Sequence, residues 1–348
     1  MAQRIYWVPH TLCFLGCAHC HNDSSPTGQR ASRDLIDRVI SHFPGPECDY
    51  PLEDVLIGGG EALMRQAETE YLIRAFRHRF PRGPQGTVAE RRAAGYVILA
   101  LQSTGLPLAN RQGKVQKAWV DYWLDLGADY FQVASSDMFH RRARPSYPWQ
   151  ALEDDMRAYG AAHGVEFLIY GKSITKLVPS GRVLGNLKAL QSEGASLLTT
   201  ERYCADGWET ASRFLSGTQF PYPQCSEVVI GPDGWVHPCC WYELSPGLFD
   251  LGEIDLVTGM EKLRPVPFCQ ALDQGDILRV AEIVQVAHDL ARRVRDRVGD
   301  CGACRILSVL LARQPQHAWA RVTPLSDREM AFYTEWVGAE TLREILNC

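Results

Sequence analysis

The stretch Arg4-Ile5-Tyr6-Trp7-Val8-Pro9-His10-Thr11-Leu12-Cys13-Phe14-Leu15-Gly16-Cys17-Ala18-His19-Cys20 decides how this chain is read. Arg4–Val8 is short and largely apolar, as expected for a strand in the middle of a buried parallel sheet. It runs into a loop that carries three cysteines at the spacing CxxxCxxC. Three thiolates so close together can hold three irons of a [4Fe–4S] cube and leave the fourth iron open. A tetrahedral zinc ion is the competing reading, with His19 or His21 as its fourth ligand.

Outward from this loop, short apolar segments recur at Asp54–Ile57, Tyr96–Leu101, Tyr130–Ala134 and Val165–Tyr170. Helical periods lie between them, at Ser32–Phe43, Ala67–Phe80, Val115–Leu126 and Trp149–His163. Ser32 suits an N-cap and Gly164 a C-terminal stop. This alternation predicts an α/β fold, a parallel sheet or partial barrel, with ligands gathered at the carboxyl ends of its strands. The polar, Gly- and Pro-punctuated segment Pro81–Gly95 reads as a surface excursion.

Composition narrows the function classes. The 348 residues include 36 basic and 41 acidic side chains, a net charge of −5, so no basic footprint points to nucleic acid or an anionic membrane. No apolar run reaches the roughly 18–20 residues that span a bilayer, and Met1-Ala2-Gln3-Arg4 opens no signal-peptide core. A cytoplasmic location follows as an expectation. Twelve cysteines in such a chain point to metal or redox chemistry before disulfides.

With its CxxxCxxC loop after the first strand, the chain resembles the radical S-adenosylmethionine (SAM) superfamily. The resemblance implies a partial (β/α)6 TIM-like barrel over residues 1–195, with a [4Fe–4S] cluster on Cys13, Cys17 and Cys20. In that family the open iron chelates SAM, and an electron from the cluster cleaves SAM to a 5′-deoxyadenosyl radical. His19 stands where the family places an aromatic residue near adenine. Gly58-Gly59-Gly60-Glu61 resembles the Gly-Gly-Glu motif that binds the SAM amino group, with Ala62 replacing the usual proline. Taken alone, the same glycines make a tight turn into a helix. Leu101-Gln102-Ser103-Thr104-Gly105 resembles the segment after the third strand, which assigns Ser103 to the cofactor. Val133-Ala134-Ser135-Ser136-Asp137, followed by His140, resembles the fourth-strand region, where Ser135 and Asp137 would reach the ribose or the substrate; helix capping would explain them equally well.

A second set of cysteines lies further along. Cys225 and Cys239 flank two short strands joined by the turn Pro232-Asp233-Gly234, and Cys301-Gly302-Ala303-Cys304 follows about 60 residues later. Four thiolates make a full ligand set for a [4Fe–4S] cluster or for zinc. Beside the core above, the pattern resembles the SPASM/twitch extension, as does Pro179-Ser180-Gly181-Arg182. Arg305–Gln314 contains no further cysteine, which fits the shorter twitch form with one auxiliary cluster. The expected organisation is a twitch-like domain of β-hairpin plus helix over 196–324, then a helical tail over 325–348.

The resemblance implies SAM and two [4Fe–4S] clusters as cofactors, and an electron donor such as flavodoxin or ferredoxin as partner. An electron-carrying cluster suits reactions in which the substrate radical loses a second electron. Only twelve residues precede Cys13, too few for the leader-binding module of many peptide-modifying relatives. The expectation is therefore a small polar substrate, as in the dehydrogenases and epimerases of aminoglycoside pathways. Hydrogen would be abstracted from a carbinol carbon of an amino sugar or aminocyclitol, with oxidation to a ketone ahead of epimerisation. Acidic residues Asp137, Glu201, Asp206, Glu209 and Glu243 would suit a polycationic sugar, or simply sit on solvated faces. The alternatives are a maturase that cross-links or epimerises a ribosomal peptide, and a zinc-binding interaction protein. Cys240 is the candidate hydrogen donor for epimerisation, with Cys204 and Cys269 behind it.

Overall fold

The computed structural model describes residues 3–48, 51–133, 138–169, 176–177, 179–197, 228–238, 245–273 and 276–347. Ten strands and a larger number of helices alternate through most of this length. Strands β1 (Gln3–His10), β2 (Leu52–Gly59), β3 (Ile98–Ser103), β4 (Tyr130–Val133) and β5 (Phe167–Ile169) pair in parallel with their neighbours in sequence order. The order runs outward from β1 without the reversal that marks a doubly wound sheet, so the core is wound in one direction, as a barrel is.

Helices α1 (Arg33–Ser41), α2 (Gln66–Arg79), α3 (Val88–Ala93), α4 (Lys117–Leu126), α5 (Met138–Ala143) and α6 (Trp149–His163) connect these strands. Ser32 caps α1 by accepting the Leu35 amide, and α6 ends on Gly164 at φ 67°, both as the sequence suggests. The segment Pro81–Gly95 differs from its reading as a plain excursion. It holds α3, started by a reciprocal capping box between Thr87 and Glu90.

Beyond α6, β6 (Lys176–Leu177) pairs in parallel with β7 (Ser196–Leu197) around α7 (Val183–Gln191), apart from the main sheet among the described residues. Strands β8 (Val228–Ile230), β9 (Trp235–His237) and β10 (Phe249–Asp250) then continue the main sheet on the far side of β1. β8 is parallel to β1, whereas β9 and β10 are antiparallel additions. The hairpin expected around Pro232–Gly234 is thus present and lies against the first strand of the core. Among the described residues the eight-stranded sheet is open, with β5 and β10 at its edges.

Two large hydrophobic cores result, besides a small cluster of Leu56, Val88, Ile98, Ala100 and Tyr130 whose strand residues alternate with those of the first. One packs Trp7, Val55, Ile57, Leu99, Phe131 and Ile230 of the sheet against Val39, Phe76 and Val120 of the covering helices. The other is helical, with Leu187 and Leu190 of α7 packed among Phe268, Leu290, Leu307, Phe332 and Tyr333 of the C-terminal helices. The amino ends of β3 and β4 are closed by ionic contacts: Arg77, Arg82 and Arg91 lie 2.5, 3.0 and 2.9 Å from the buried Asp129 carboxylate. The carboxyl ends stay available for the loops that carry the cysteines. No helix among the described residues is long and apolar enough to cross a membrane.

Candidate functional site

The CxxxCxxC loop leaves the carboxyl end of β1 and is held on both sides by main chain. On one side Thr11 donates to the Gln29 carbonyl (2.9 Å), Cys13 to Ser25 (2.9 Å) and Ala31 to Pro9 (2.8 Å). On the other, Gly60 donates to His10 (3.1 Å) and Glu61 to Leu12 (2.8 Å). The glycine turn after β2 therefore lies along the cysteine loop. A side chain on Gly60 would be driven into the Leu12 carbonyl, and Gly59 adopts φ 106° against the His10 carbonyl. A side chain on Gly58 would meet Tyr6, whose hydroxyl accepts from the Gly59 amide (2.9 Å) and donates to Gln102 Oε1 (2.7 Å).

All three thiols point into protected surroundings. Cys13 and Cys17 are buried, and Cys20 is half-buried. Two of the sulfurs already accept main-chain donors: Cys13 Sγ from the Leu15 amide at 3.4 Å, Cys20 Sγ from the Ser24 amide at 3.3 Å. Burial pushes the Cys13 thiol up to about 12. Burial also raises the Cys20 thiol, opposed by the nearby Arg182 charge. Such thiols stay protonated until a metal displaces the proton. Three protected thiols on one loop, two of them supplied with N–H donors to sulfur, fit a [4Fe–4S] cluster.

Glu61 is fully buried. Its carboxylate accepts from the Thr104 amide (2.9 Å), the Thr104 hydroxyl (2.7 Å) and the Leu63 amide (3.1 Å), which ties the turn after β2 to the turn after β3. Burial raises the Glu61 carboxyl above its ordinary value despite these donors. Ser103 is buried beside it and accepts from the Gly105 amide (3.0 Å). His19 stacks on the buried Phe139 of α5, ring centroids 4.3 Å apart, with His140 edge-on at 5.2 Å. The ring expected near adenine thus lies in an aromatic group just beyond the carboxyl end of β4.

Three contributors to the site escape the sequence reading. Asn22 donates to the Gly59 carbonyl at 3.0 Å and joins the two motifs. Thr104 donates both its amide and its hydroxyl to Glu61, with Ser103 adding a side-chain bond beside it. The largest contribution comes from Arg182. Its guanidinium donates to the carbonyls of Cys17 (2.8 Å) and Ser24 (2.6 Å), and its amide donates to Cys20 (2.9 Å). Ser180 is 3.1 Å from His21 Nδ1, and Gly181, at φ 52°, presses on the Cys20 and His21 carbonyls. Pro179–Arg182 is therefore a clamp on the cysteine loop. The motif was visible, but its target was not.

Cys301 and Cys304 lie in the helix His288–Leu311, just after a break at Gly299. Both are half-buried. Gly302 between them packs so closely on Pro179 that an added Cβ would lie 3.1 Å from its ring. The CxxC turn and the CxxxCxxC loop therefore bear on the same four-residue segment. Cys269 is half-buried between the two cores. Ser135, Asp137, Cys204, Cys225, Cys239 and Cys240 lie outside the described residues.

No family model matches the chain. No curated protein matches it. Solved structures do. BtrN in complex with AdoMet and 2-DOIA shares 13% identity at a TM-score of 0.46, over 80% of this chain and 89% of that one. AnSMEcpe with bound AdoMet shares 11% at a TM-score of 0.44, over the whole of both chains. SuiB from Streptococcus suis, bound to S-adenosylmethionine, shares 12% at 0.36, over 74% of this chain and 65% of its own.

Proposed function

We propose that this chain is a radical SAM enzyme acting on a carbinol carbon of a small amino sugar or aminocyclitol. The observation that carries the reading is the cysteine loop at the carboxyl end of β1, with buried thiols, main-chain donors to two sulfurs, and the Gly58–Glu61 turn laid against it. A [4Fe–4S] cluster on Cys13, Cys17 and Cys20 would supply the electron that splits bound SAM into methionine and the hydrogen-abstracting 5′-deoxyadenosyl radical.

The chain's own residues hold and shield that chemistry. Asn22 and Arg182 keep the loop against the Gly58–Glu61 turn, and Glu61 with Thr104 keeps that turn against β3. His19 on Phe139 offers a flat face for adenine. Cys225, Cys239, Cys301 and Cys304 would hold a second cluster, which takes the second electron when the carbinol becomes a ketone and its hydroxyl proton leaves. Oxidation is the favoured outcome because such a cluster serves net two-electron removal. A flavodoxin or ferredoxin would deliver the reducing electron.

The test is anaerobic reconstitution with iron and sulfide. Wild-type protein should take up roughly eight irons, as two [4Fe–4S] clusters require, and form 5′-deoxyadenosine from SAM under reduction. The Cys13→Ala, Cys17→Ala, Cys20→Ala triple variant should form none. Reductive SAM cleavage surviving in that variant would refute the assignment. Turnover of a ribosomal peptide in place of any aminocyclitol would keep the enzyme class and replace the substrate.

A further inference from the structure

Helices α1, α2 and α4 cover one face of the core sheet, through Val39, Phe76 and Val120. The opposite face is layered along the strands. Near the amino ends, Asp54 of β2 holds Arg4 of β1 at 3.1 Å and Arg92 of α3 at 2.9 Å. In the next layer Leu56, Ala100 and Tyr130 stand side by side on β2, β3 and β4 and make an apolar floor. Above it, at the carboxyl ends, Gln102 pairs with Gln132 and Gln132 with Leu168 across β3, β4 and β5. Tyr6 rises into this upper layer from β1 through the space that a side chain on Gly58 would occupy. Its hydroxyl donates to Gln102 Oε1 (2.7 Å) and accepts from the Gly59 amide (2.9 Å).

Apolar side chains would pack in the upper layer as they do in the one below, yet the sequence places two glutamines there. Gln132 is only 4% exposed, and its Oε1 has no hydrogen-bond partner among the described residues. Buried polar atoms of native proteins are nearly always paired. Tyr6, Gln102 and Leu168 beside it are half-buried, so solvent reaches the row. The row also lies directly beneath the two turns tied together by Glu61: Gly58 runs into Gly59–Glu61, and Gln102 into Ser103 and Thr104. The carboxyl ends of barrel strands are where ligands gather.

We infer that Gln132 is a specificity-determining residue, whose side-chain oxygen accepts a hydrogen bond from an amino or hydroxyl group of the aminocyclitol ring. The inference rests on the reading of the chain as a radical SAM enzyme and deepens it by naming a residue that grips the substrate. A buried oxygen waiting for a donor selects against rings that cannot supply one, because their binding would leave it unmet. The Tyr6 bond holds the neighbouring Gln102 amide in place.

The experiment uses the full-length enzyme, reconstituted with iron and sulfide and saturated with SAM, titrated calorimetrically with the aminocyclitol scyllo-inosamine. Wild type should bind it. Gln132→Met keeps the length of the side chain and deletes its amide. It should bind the probe at least tenfold more weakly, about 1.4 kcal/mol, with iron content, SAM affinity and 5′-deoxyadenosine formation unchanged. Equal affinity in Gln132→Met would overturn the inference and leave the enzyme reading standing. Wild-type protein that cleaves SAM but binds no scyllo-inosamine would overturn the inference together with the substrate class. Wild-type protein that cleaves no SAM would overturn the enzyme reading beneath both. In the metal-free protein Gln132→Met should melt no lower than wild type, because it deletes an unmet buried oxygen. A melting temperature lower by several degrees would mark Gln132 as a packing residue and overturn the inference.

Discussion

Replacing Arg182 with alanine would release the CxxxCxxC loop while leaving every cysteine in place. The guanidinium makes two short bonds to loop carbonyls, 2.8 Å to Cys17 and 2.6 Å to Ser24, both in buried residues. A third approach, to the Leu15 carbonyl at 3.5 Å, is weak. The contact with Asp23 at 3.4 Å is a surface pair worth about 0–1 kcal/mol. Each short bond, from a charged donor to a carbonyl that would be left unmet, is worth about 1.5–3 kcal/mol. The loss in Arg182→Ala is therefore about 3–6 kcal/mol, a large share of the 5–15 kcal/mol typical of a folded domain. The amide bond from residue 182 to Cys20 survives, so the loop should loosen between residues 13 and 25 before the chain unfolds. Hydrogen exchange on the metal-free protein should show faster exchange there, and anaerobic reconstitution should give about half the iron of wild type. Arg182→Lys keeps the charge but can meet only one carbonyl well, and should recover about half of the stability. Full iron loading with unaltered exchange in Arg182→Ala would refute the clamp.

The Cys225→Ala, Cys239→Ala, Cys301→Ala, Cys304→Ala variant should bind half the iron of wild type and still cleave SAM, while product formation collapses; iron contents that agree would show these ligands misassigned. Gly60→Ala forces a methyl group into the Leu12 carbonyl and should cost at least about 1–3 kcal/mol together with SAM affinity. Gly16→Ala, with open space around its Cβ, is the control and should be silent in both assays. Cys240→Ala, assayed in deuterated water with both clusters intact, should still give ketone if oxidation is the reaction; loss of solvent-derived deuterium from an epimerised product would identify Cys240 as hydrogen donor instead.

The parts of the site that were legible in the sequence are those whose chemistry is local. Cys13, Cys17 and Cys20 announce themselves by spacing, and Gly58–Glu61 by its place at the end of a strand; the structure lays one along the other. Ser32 and Gly164 were readable because a cap is a short-range device. The Thr87–Glu90 capping box was equally local, and the polar surroundings of Pro81–Gly95 concealed it. What could not be read is what distance conceals. Arg182 meets the loop across 165 residues of chain, and Phe139 reaches His19 from beyond β4. No pattern within residues 228–230 says that β8 lies parallel to β1. The helical second core was also underread, whereas the CxxC stands where its spacing suggests, at the head of the helical segment that follows the break at Gly299.

The clamp has a consequence for how the protein is made. The cysteine loop is synthesised well before its clamp, since the guanidinium that fastens the Cys17 carbonyl follows 165 residues later. At about 5–20 residues per second, that interval is about 8 to 33 s on the ribosome. β1 waits longer still for one of its two neighbours, since β8 begins at Val228. During this time the nascent chain carries three thiols on an unfastened loop beside an open strand edge, the combination most exposed to air oxidation and to pairing with other chains. Yield of active enzyme should therefore depend on the oxygen tension during translation itself, before purification begins.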